Sequence, residues 1–362
     1  MPNQAESLAA INVADGGVRE LFSGGESLGR PAWLPDGNSL RLPIELLPEH
    51  RRQLWLVSYP SGERRRFSND LSDYGFELDL TLDGQMLVTL ENRRSSHIWI
   101  LPQGQTAQAK QITFGETPDS GVAPGPDGKL LVRSRGSDLV LINADGSQRT
   151  LLRPNLENNF SMSSCSDQYL VFDSYEENRL RLLRTDAVGA NPVTLTEDAS
   201  WSDCSHDGKW VLYTSATAQK LYRLPIEGGT PTEVASANLF YDVVISSDGK
   251  WIAYRDYEGR AAPVPTIAVI PAAGGSPLHV FVQPSGVYKL HWSPDQKGVQ
   301  YLLTKNGTAN IWEQPLAEGT PRQITNFSSG RIFDFSWTRD GKQLLLAKGE
   351  ITRDVVLISN FH

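Results

Sequence analysis

An aspartate followed by glycine or glutamine recurs just ahead of an apolar, strand-like run, at Asp36, Asp83, Asp127, Asp167, Asp207, Asp248, Asp295 and Asp340. The intervals are 47, 44, 40, 40, 41, 47 and 45 residues. That is close to the roughly 40–45 residues of a four-stranded propeller blade. The clearest copies are SHDGKWVLYTS (205–215), SSDGKWIAYRD (246–256) and TRDGKQLLLAKG (338–349). Asp-Gly between two β-type runs marks a hairpin, because glycine accepts positive φ without a Cβ clash.

Each period supplies the remaining strands of a blade. An alternating segment precedes the anchor, as in YDVVIS (241–246) and YKLHWS (288–293). A third strand follows, as in LWLVS (54–58), IWIL (98–101), LVLIN (139–143) and VVLIS (355–359). Gly-rich turns then lead to a fourth, as in EGGTPTEVAS (227–236) and AEGTPRQIT (317–325). Period-2 alternation with closely spaced turn signals reads as all-β. The 31 Gly and 22 Pro fall at these turns and exclude long helical bundles, while 9 Trp, 11 Tyr and 12 Phe can fill a large core.

The expected fold is a single all-β propeller domain over residues 1–362, with eight four-stranded antiparallel blades and seven as the alternative. Residues 1–24 would complete the closing blade. VRELFSG (18–24) would be its outer strand, and LAAINV (8–13) is one strand more than the ring needs.

Charge narrows the partners. With 34 basic and 42 acidic residues the net charge is −8, which disfavours nucleic acid and anionic membrane. No apolar run approaches the roughly 20 residues of a membrane helix. The opening MPNQAESLAA has no basic region followed by an apolar stretch, so no signal peptide is expected in this chain. The chain would then be cytoplasmic or an excerpt of a longer one. Cys165 and Cys204 read as two small buried thiols rather than a disulfide framework or a metal pair.

One catalytic-looking motif is present. Gly25-Glu26-Ser27-Leu28-Gly29 fits G-x-S-x-G, but a nucleophile elbow needs a strand before it and a helix after it. Arg30-Pro31 and another strand follow, so the segment reads as a loop. No enzymatic activity is expected from it. His206 reads as a turn residue, and the histidines show no metal spacing.

Alignment on the anchors sorts the innermost strands by parity. Positions three and seven before the anchor, including Trp33, Phe76, Trp292 and Trp337, belong to the packing face between blades. Positions four and six before it carry Glu77, Asp79, Asp203, Asp242, Lys289, His291 and Asp334, with Arg30 in the equivalent slot of the first blade. These would gather at a mainly acidic channel mouth able to take a cationic ligand or a divalent metal; alternatively they are solvated or pair across blades. No resident cofactor is expected. A basic group, Arg51, Arg52, Arg64, Arg65, Arg66, Arg93 and Arg94, offers a partner surface or an ordinary solvated one. Tyr74, Tyr175, Tyr257, Asn159 and Trp201 are expected on the loop rim, where propellers place recognition.

The blocks WSPD (292–295), DGKWIAY (248–254) and DVVLISNF (354–361) resemble the TolB-like propeller repeat. The closing strand also resembles the C-terminal sensor propellers of bacterial transmembrane serine/threonine kinases and winged-helix regulators. The resemblance implies a non-catalytic binding and sensing module, extracytoplasmic (periplasmic), that takes a protein, peptide or glycan ligand. A kinase or winged-helix module would lie upstream. The competing class is a propeller enzyme, a metal-dependent lyase or lactonase, working through the acidic channel residues.

Overall fold

The computed structural model describes residues 6–359, apart from 25–26, 47–50, 71, 136–137, 155, 157–160, 177–178, 216, 237–240, 259–263 and 318. Nearly all regular structure is antiparallel strand, mostly in four-stranded sheets that follow the repeat. Blades are named below by their anchor aspartate.

The recurring turn has a shared chemistry. In the Asp248 blade, Ser246 Oγ donates to Asp248 Oδ1 (2.7 Å) and accepts Trp251 N (2.9 Å), while Lys250 N donates to the same carboxylate oxygen (3.1 Å). The same set forms around Asp83, Asp207, Asp295 and Asp340, with Thr81, Ser205, Ser293 and Thr338 as the hydroxyl. The repeat is therefore hydroxyl-x-Asp-Gly/Gln, an Asx turn braced by the side chain two residues earlier. The hydrogen bond from Ser205 holds Asp207 below the usual carboxylate range, and Thr81 does the same for Asp83.

By internal contacts the chain divides into two compact units, 95–350 and 1–94 with 351–362. The boundaries fall inside two 17-residue strands, Met86–Pro102 and Gln343–Ser359.

The second unit, 95–350, is a closed propeller of six blades. Five are the Asp127, Asp167, Asp207, Asp248 and Asp295 sheets. The sixth, the Asp340 blade, is Arg331–Trp337, the 343–350 part of its long strand, the 95–102 part of the other, and Lys110–Gln111. Innermost strands Asp119–Pro124, Met162–Cys165, Ser200–Cys204, Tyr241–Ile245, Val287–Trp292 and Arg331–Trp337 lie each against the next, and the last lies against the first. Apolar clusters sit at all six blade interfaces. Ile98, Val122, Val132, Leu345 and Ala347, for example, fill the one between the Asp340 and Asp127 blades.

The first unit has three sheets. The hairpin Glu6–Ile11 with Val18–Gly24 packs Leu8 and Phe22 on Leu42, Ile44 and Val57 of the Asp36 blade. That blade in turn packs Leu54 against Tyr74, Leu78 and Leu87 of the Asp83 sheet, with Ile358 alongside.

The propeller of four-stranded antiparallel blades thus stands as read, while the ring differs from the one expected. An eight-bladed ring would place the Asp36 and Asp83 blades between Asp340 and Asp127, whose blades instead touch directly. The seven-bladed alternative fails for the same reason. VRELFSG is not the outer strand of the closing blade; it pairs with LAAINV as a separate hairpin. The third strand of the closing blade comes from 95–102, not from VVLIS.

Candidate functional site at the channel mouth

Five of the six innermost strands carry a β-bulge near their start, at Ser120, Trp201–Ser202, Asp242–Val243, Lys289 and Phe333. A bulge inserts one residue against the pleat and re-aims its side chain. At three of them the residue is non-glycine in the left-handed region: Trp201 (φ 53°), Asp242 (φ 47°) and Lys289 (φ 53°). All three stand six residues before their anchors and line one cavity of about 70 Å³. Residues from all six innermost strands line it, so it is the channel end opposite the Asx turns.

The structure brings five of the expected channel residues together here: Asp203, Asp242, Lys289, His291 and Asp334, with Trp201 from the expected rim set. The carboxylates act mainly as pins between blades. Asp203 Oδ2 accepts Ile245 N of the next blade (3.0 Å) and its Oδ1 accepts Cys204 N (2.8 Å). Asp242 Oδ2 accepts Lys289 N of the next blade (3.0 Å) and Arg255 Nε (2.6 Å), with both side chains buried. Asp334 Oδ2 accepts Val122 N across the ring closure (3.2 Å). Ser161 Oγ does the same work for Ser202 N (2.8 Å), and Asp173 accepts Trp201 N (3.0 Å).

Lys289 links the exposed end of the mouth. Its Nζ lies 3.8 Å from Asp334 Oδ1 and 5.9 Å from the Trp201 ring centroid. Trp201 packs edge-on to Tyr241 (5.8 Å). Deeper in, burial raises the Asp203 carboxyl to about 6. Burial lowers the His291 imidazole to about 4, so it is neutral at pH 7, and its ring packs edge-on to Phe335 (4.8 Å). Among the described residues no group of three or more His, Cys, Asp or Glu is placed to hold a metal ion.

Glu77 and Asp79 are not in this channel, because their blade belongs to the first unit. Both are exposed there; Glu77 pairs loosely with Arg30 (3.9 Å) and Asp79 caps Leu80 N (2.9 Å). Tyr74 is not a rim residue either. It is buried, with its hydroxyl donating to Asp70 Oδ2 (2.8 Å). Tyr175 is likewise buried. Tyr257 lies in the strand Trp251–Glu258, and its side chain, like all of Asn159, lies outside the described residues. Ser27 is followed by an isolated bridge from Leu28 to Ile44, with no helix, in keeping with the loop reading.

Sequence reasoning missed three second-strand residues: Arg133, which lines the mouth, and Asp173 and Arg255, which hold Trp201 N and the Asp242 carboxylate behind it. They stand six or seven residues after Asp127, Asp167 and Asp248, so counting forward as well as backward from the anchor would have found them. It also missed a covalent link. Cys165 and Cys204 are not two thiols but a disulfide joining adjacent innermost strands, with Cα atoms 5.4 Å apart. Their separation of 39 residues is about one blade period, which places the two on neighbouring strands.

Comparison with known proteins gives distant similarities. No family model matches the chain. Dipeptidyl-peptidase 5 of Porphyromonas gingivalis is 30% identical over 174 residues, which cover 43% of this chain. The match spans 24% of that peptidase, so the chain corresponds to about a quarter of its length. TolB from Acinetobacter baumannii is similar in fold, with 13% identity over 97% of this chain and 63% of its own, at a TM-score of 0.38. Oligogalacturonate lyase from Vibrio parahaemolyticus is similar over 87% of this chain and 97% of its own, with 13% identity and a TM-score of 0.45. The propeller reading rests on the chain's own sheets and their contacts, and none of these similarities supports the narrower resemblance to kinase or winged-helix sensor propellers. Relatives of this fold include enzymes as well as TolB. No helix among the described residues is long and apolar enough to cross a membrane.

Proposed function

We propose that this chain is a non-catalytic binding module that receives a protein, peptide or glycan at the bulged mouth of its six-bladed ring. The observation that carries the reading is the concentration of backbone strain there. Trp201, Asp242 and Lys289 all hold positive φ on one rim, and such strain persists only where the surroundings over-determine it. The mouth offers an aromatic ring, a lysine and hydroxyls around a small well. The alternative enzyme reading needs carboxylates with oxygens free for substrate or metal. Asp203, Asp242 and Asp334 instead spend theirs on amides of neighbouring blades, which favours recognition over chemistry. The disulfide supports an oxidising, extracytoplasmic setting.

The test is a binding screen of the labelled full chain on peptide and glycan arrays, followed by Trp201→Ala. Binding that falls about tenfold or more in the variant, with an unchanged melting temperature, is the expected result. Array signals that ignore Trp201, or turnover of oligogalacturonate or dipeptidyl substrates that depends on Asp203, would defeat the proposal.

A further inference from the structure

The opposite end of the channel carries a departure from the repeat. In five turns a serine or threonine two residues before the anchor braces the aspartate. In the Asp167 turn that slot holds Cys165, and the usual glycine is Gln168. Freed from the hydroxyl brace, the Asp167 carboxylate accepts Asp127 N of the adjacent blade (3.2 Å) and pairs with Arg339.

Arg339 comes from the Asp340 turn, where other blades place Pro, Leu, Ser or His. It reaches past the intervening Asp127 blade to the Asp167 turn, and so spans the turn end of the channel. Its guanidinium grips three points there: Asp167 Oδ1, the Ser166 carbonyl and Ser164 Oγ (2.7 Å). Hydrogen bonds from arginine to a carboxylate are among the strong ones, and the pairing holds Asp167 below the usual carboxylate range. Cys165 lies in the middle of the gripped segment 164–167 and is tied to Cys204 of the next blade. Both sulfur-bearing residues are buried.

We propose that the Cys165–Cys204 bridge and the Arg339 grip form one redox-responsive closure of the channel's turn end, which leaves the bulged mouth as the entrance. The gripped turn lacks the hydroxyl brace of the Asp207, Asp248, Asp295 and Asp340 turns, so these two ties, with the Asp127 amide, hold it from outside. Loss of either loosens the segment on which the other depends, and coupling of this kind is reciprocal. This inference does not rest on the proposed ligand class.

The reaction is thiol–disulfide exchange with a small dithiol. One dithiol thiolate attacks a bridge sulfur, giving a mixed disulfide and one cysteine thiolate. The second dithiol sulfur then displaces the other cysteine, leaving a cyclic oxidised reductant and two protein thiols after protonation.

The test uses the oxidised full chain with dithiothreitol, trapping thiols by alkylation and counting them by mass. Arg339→Ala is expected to be reduced about tenfold faster than the parent, while Lys342→Ala, an exposed change in the same turn, keeps the parental rate. An Arg339→Ala rate within about twofold of the parent overturns the coupling. In the reverse direction, reduced parental chain that keeps its far-UV circular dichroism should exchange amide hydrogens faster at both 164–168 and 338–341. Acceleration confined to 164–168 also overturns it. If reduction unfolds the chain outright, the Arg339→Ala rate alone decides.

Discussion

Trp33 and Trp292 occupy the same slot of the repeat, three residues before their anchors, and meet opposite fates. Trp292, in the ring, is 7% exposed and donates its indole N–H to Val244 O of the preceding blade (3.3 Å). Trp33, in the first unit, is 47% exposed and touches Tyr59 edge-on (5.4 Å). Phe76, seven before its anchor, is 48% exposed as well. Side-chain chemistry is the same in both units; what differs is closure. Six sheets arranged in a ring bury six interfaces, whereas three sheets in a row bury two. A blade repeat therefore specifies a face that wants covering, and connectivity decides whether it is covered.

The strongest way to break the contrast is to break the closure. Gly349 lies in the long strand that joins the closing blade to 95–102. A Cβ placed on it would stand 1.7 Å from Ser95 O and 2.5 Å from Ser96 Cα. Both obstacles are backbone, so no rotamer relieves them. Gly349→Ala should destabilise the ring by about 4 kcal/mol or more, as the exceptional class of substitutions does. Urea unfolding followed by circular dichroism would measure it, and a loss below about 1 kcal/mol would mean that this pairing does not hold the ring.

A pair of truncations tests the contrast directly. Trp292→Ala should cost about 3–5 kcal/mol, since it empties a buried interface and orphans a carbonyl. Trp33→Ala should cost less than about 1 kcal/mol. Equal losses would show that the face of the first unit is covered in solution.

The same two long strands explain what the sequence could and could not reveal. Asp-Gly anchors, hydroxyl braces and strand alternation are local, so the blades and their turns were legible. Ring size is not local. The expected ring rested on a hairpin between the second and third strands of every blade. Yet LENRRSSH (90–97) has neither Gly nor Pro, and AKGEITRD (347–354) has only Gly349 of the two, which serves a close approach. Both segments run straight as strand. That missing turn chemistry was visible in the sequence. Overlooking it put Glu77 and Asp79 into a channel they do not line. Asp203, Asp242, Lys289, His291 and Asp334 line one cavity, on blades that obey the repeat. Their role as pins was beyond reach, since it depends on which amide of the next blade faces each carboxylate.

Asp203 supplies a pH test confined to the ring. Its folded pKa, about 6, lies above the unfolded value near 4, so the native state holds its proton more tightly. Its contribution to stability is greatest below pH 4, declines as pH rises from about 4 to 6, and is flat above that. Relative to Asp203→Asn, the parent should therefore lose roughly 2–3 kcal/mol across that window. A difference curve flat from pH 4 to 7 would show that the carboxyl is not desolvated.

The smallest effect compares one turn across the two units. Ser205, 3% exposed, and Thr81 fill the same brace, donating to Asp207 (2.7 Å) and to Asp83, but Thr81 is only part-buried. Removing a buried donor leaves its partners short of water, so Ser205→Ala should cost about 1 kcal/mol. Thr81→Ala should cost a few tenths at most, roughly 0.3 kcal/mol, because water replaces the hydroxyl. Both aspartates are held below the usual carboxylate range, first by these hydroxyls, so the stability they lend is present above the unfolded carboxyl pKa. It is lost as pH falls through the lower folded value. The carboxylate-linked part of the gap between Ser205→Ala and the parent should accordingly narrow in acid. A gap that stays constant down to pH 2 would assign the loss to the hydroxyl's bond with Trp210 N (3.1 Å) rather than to the aspartate.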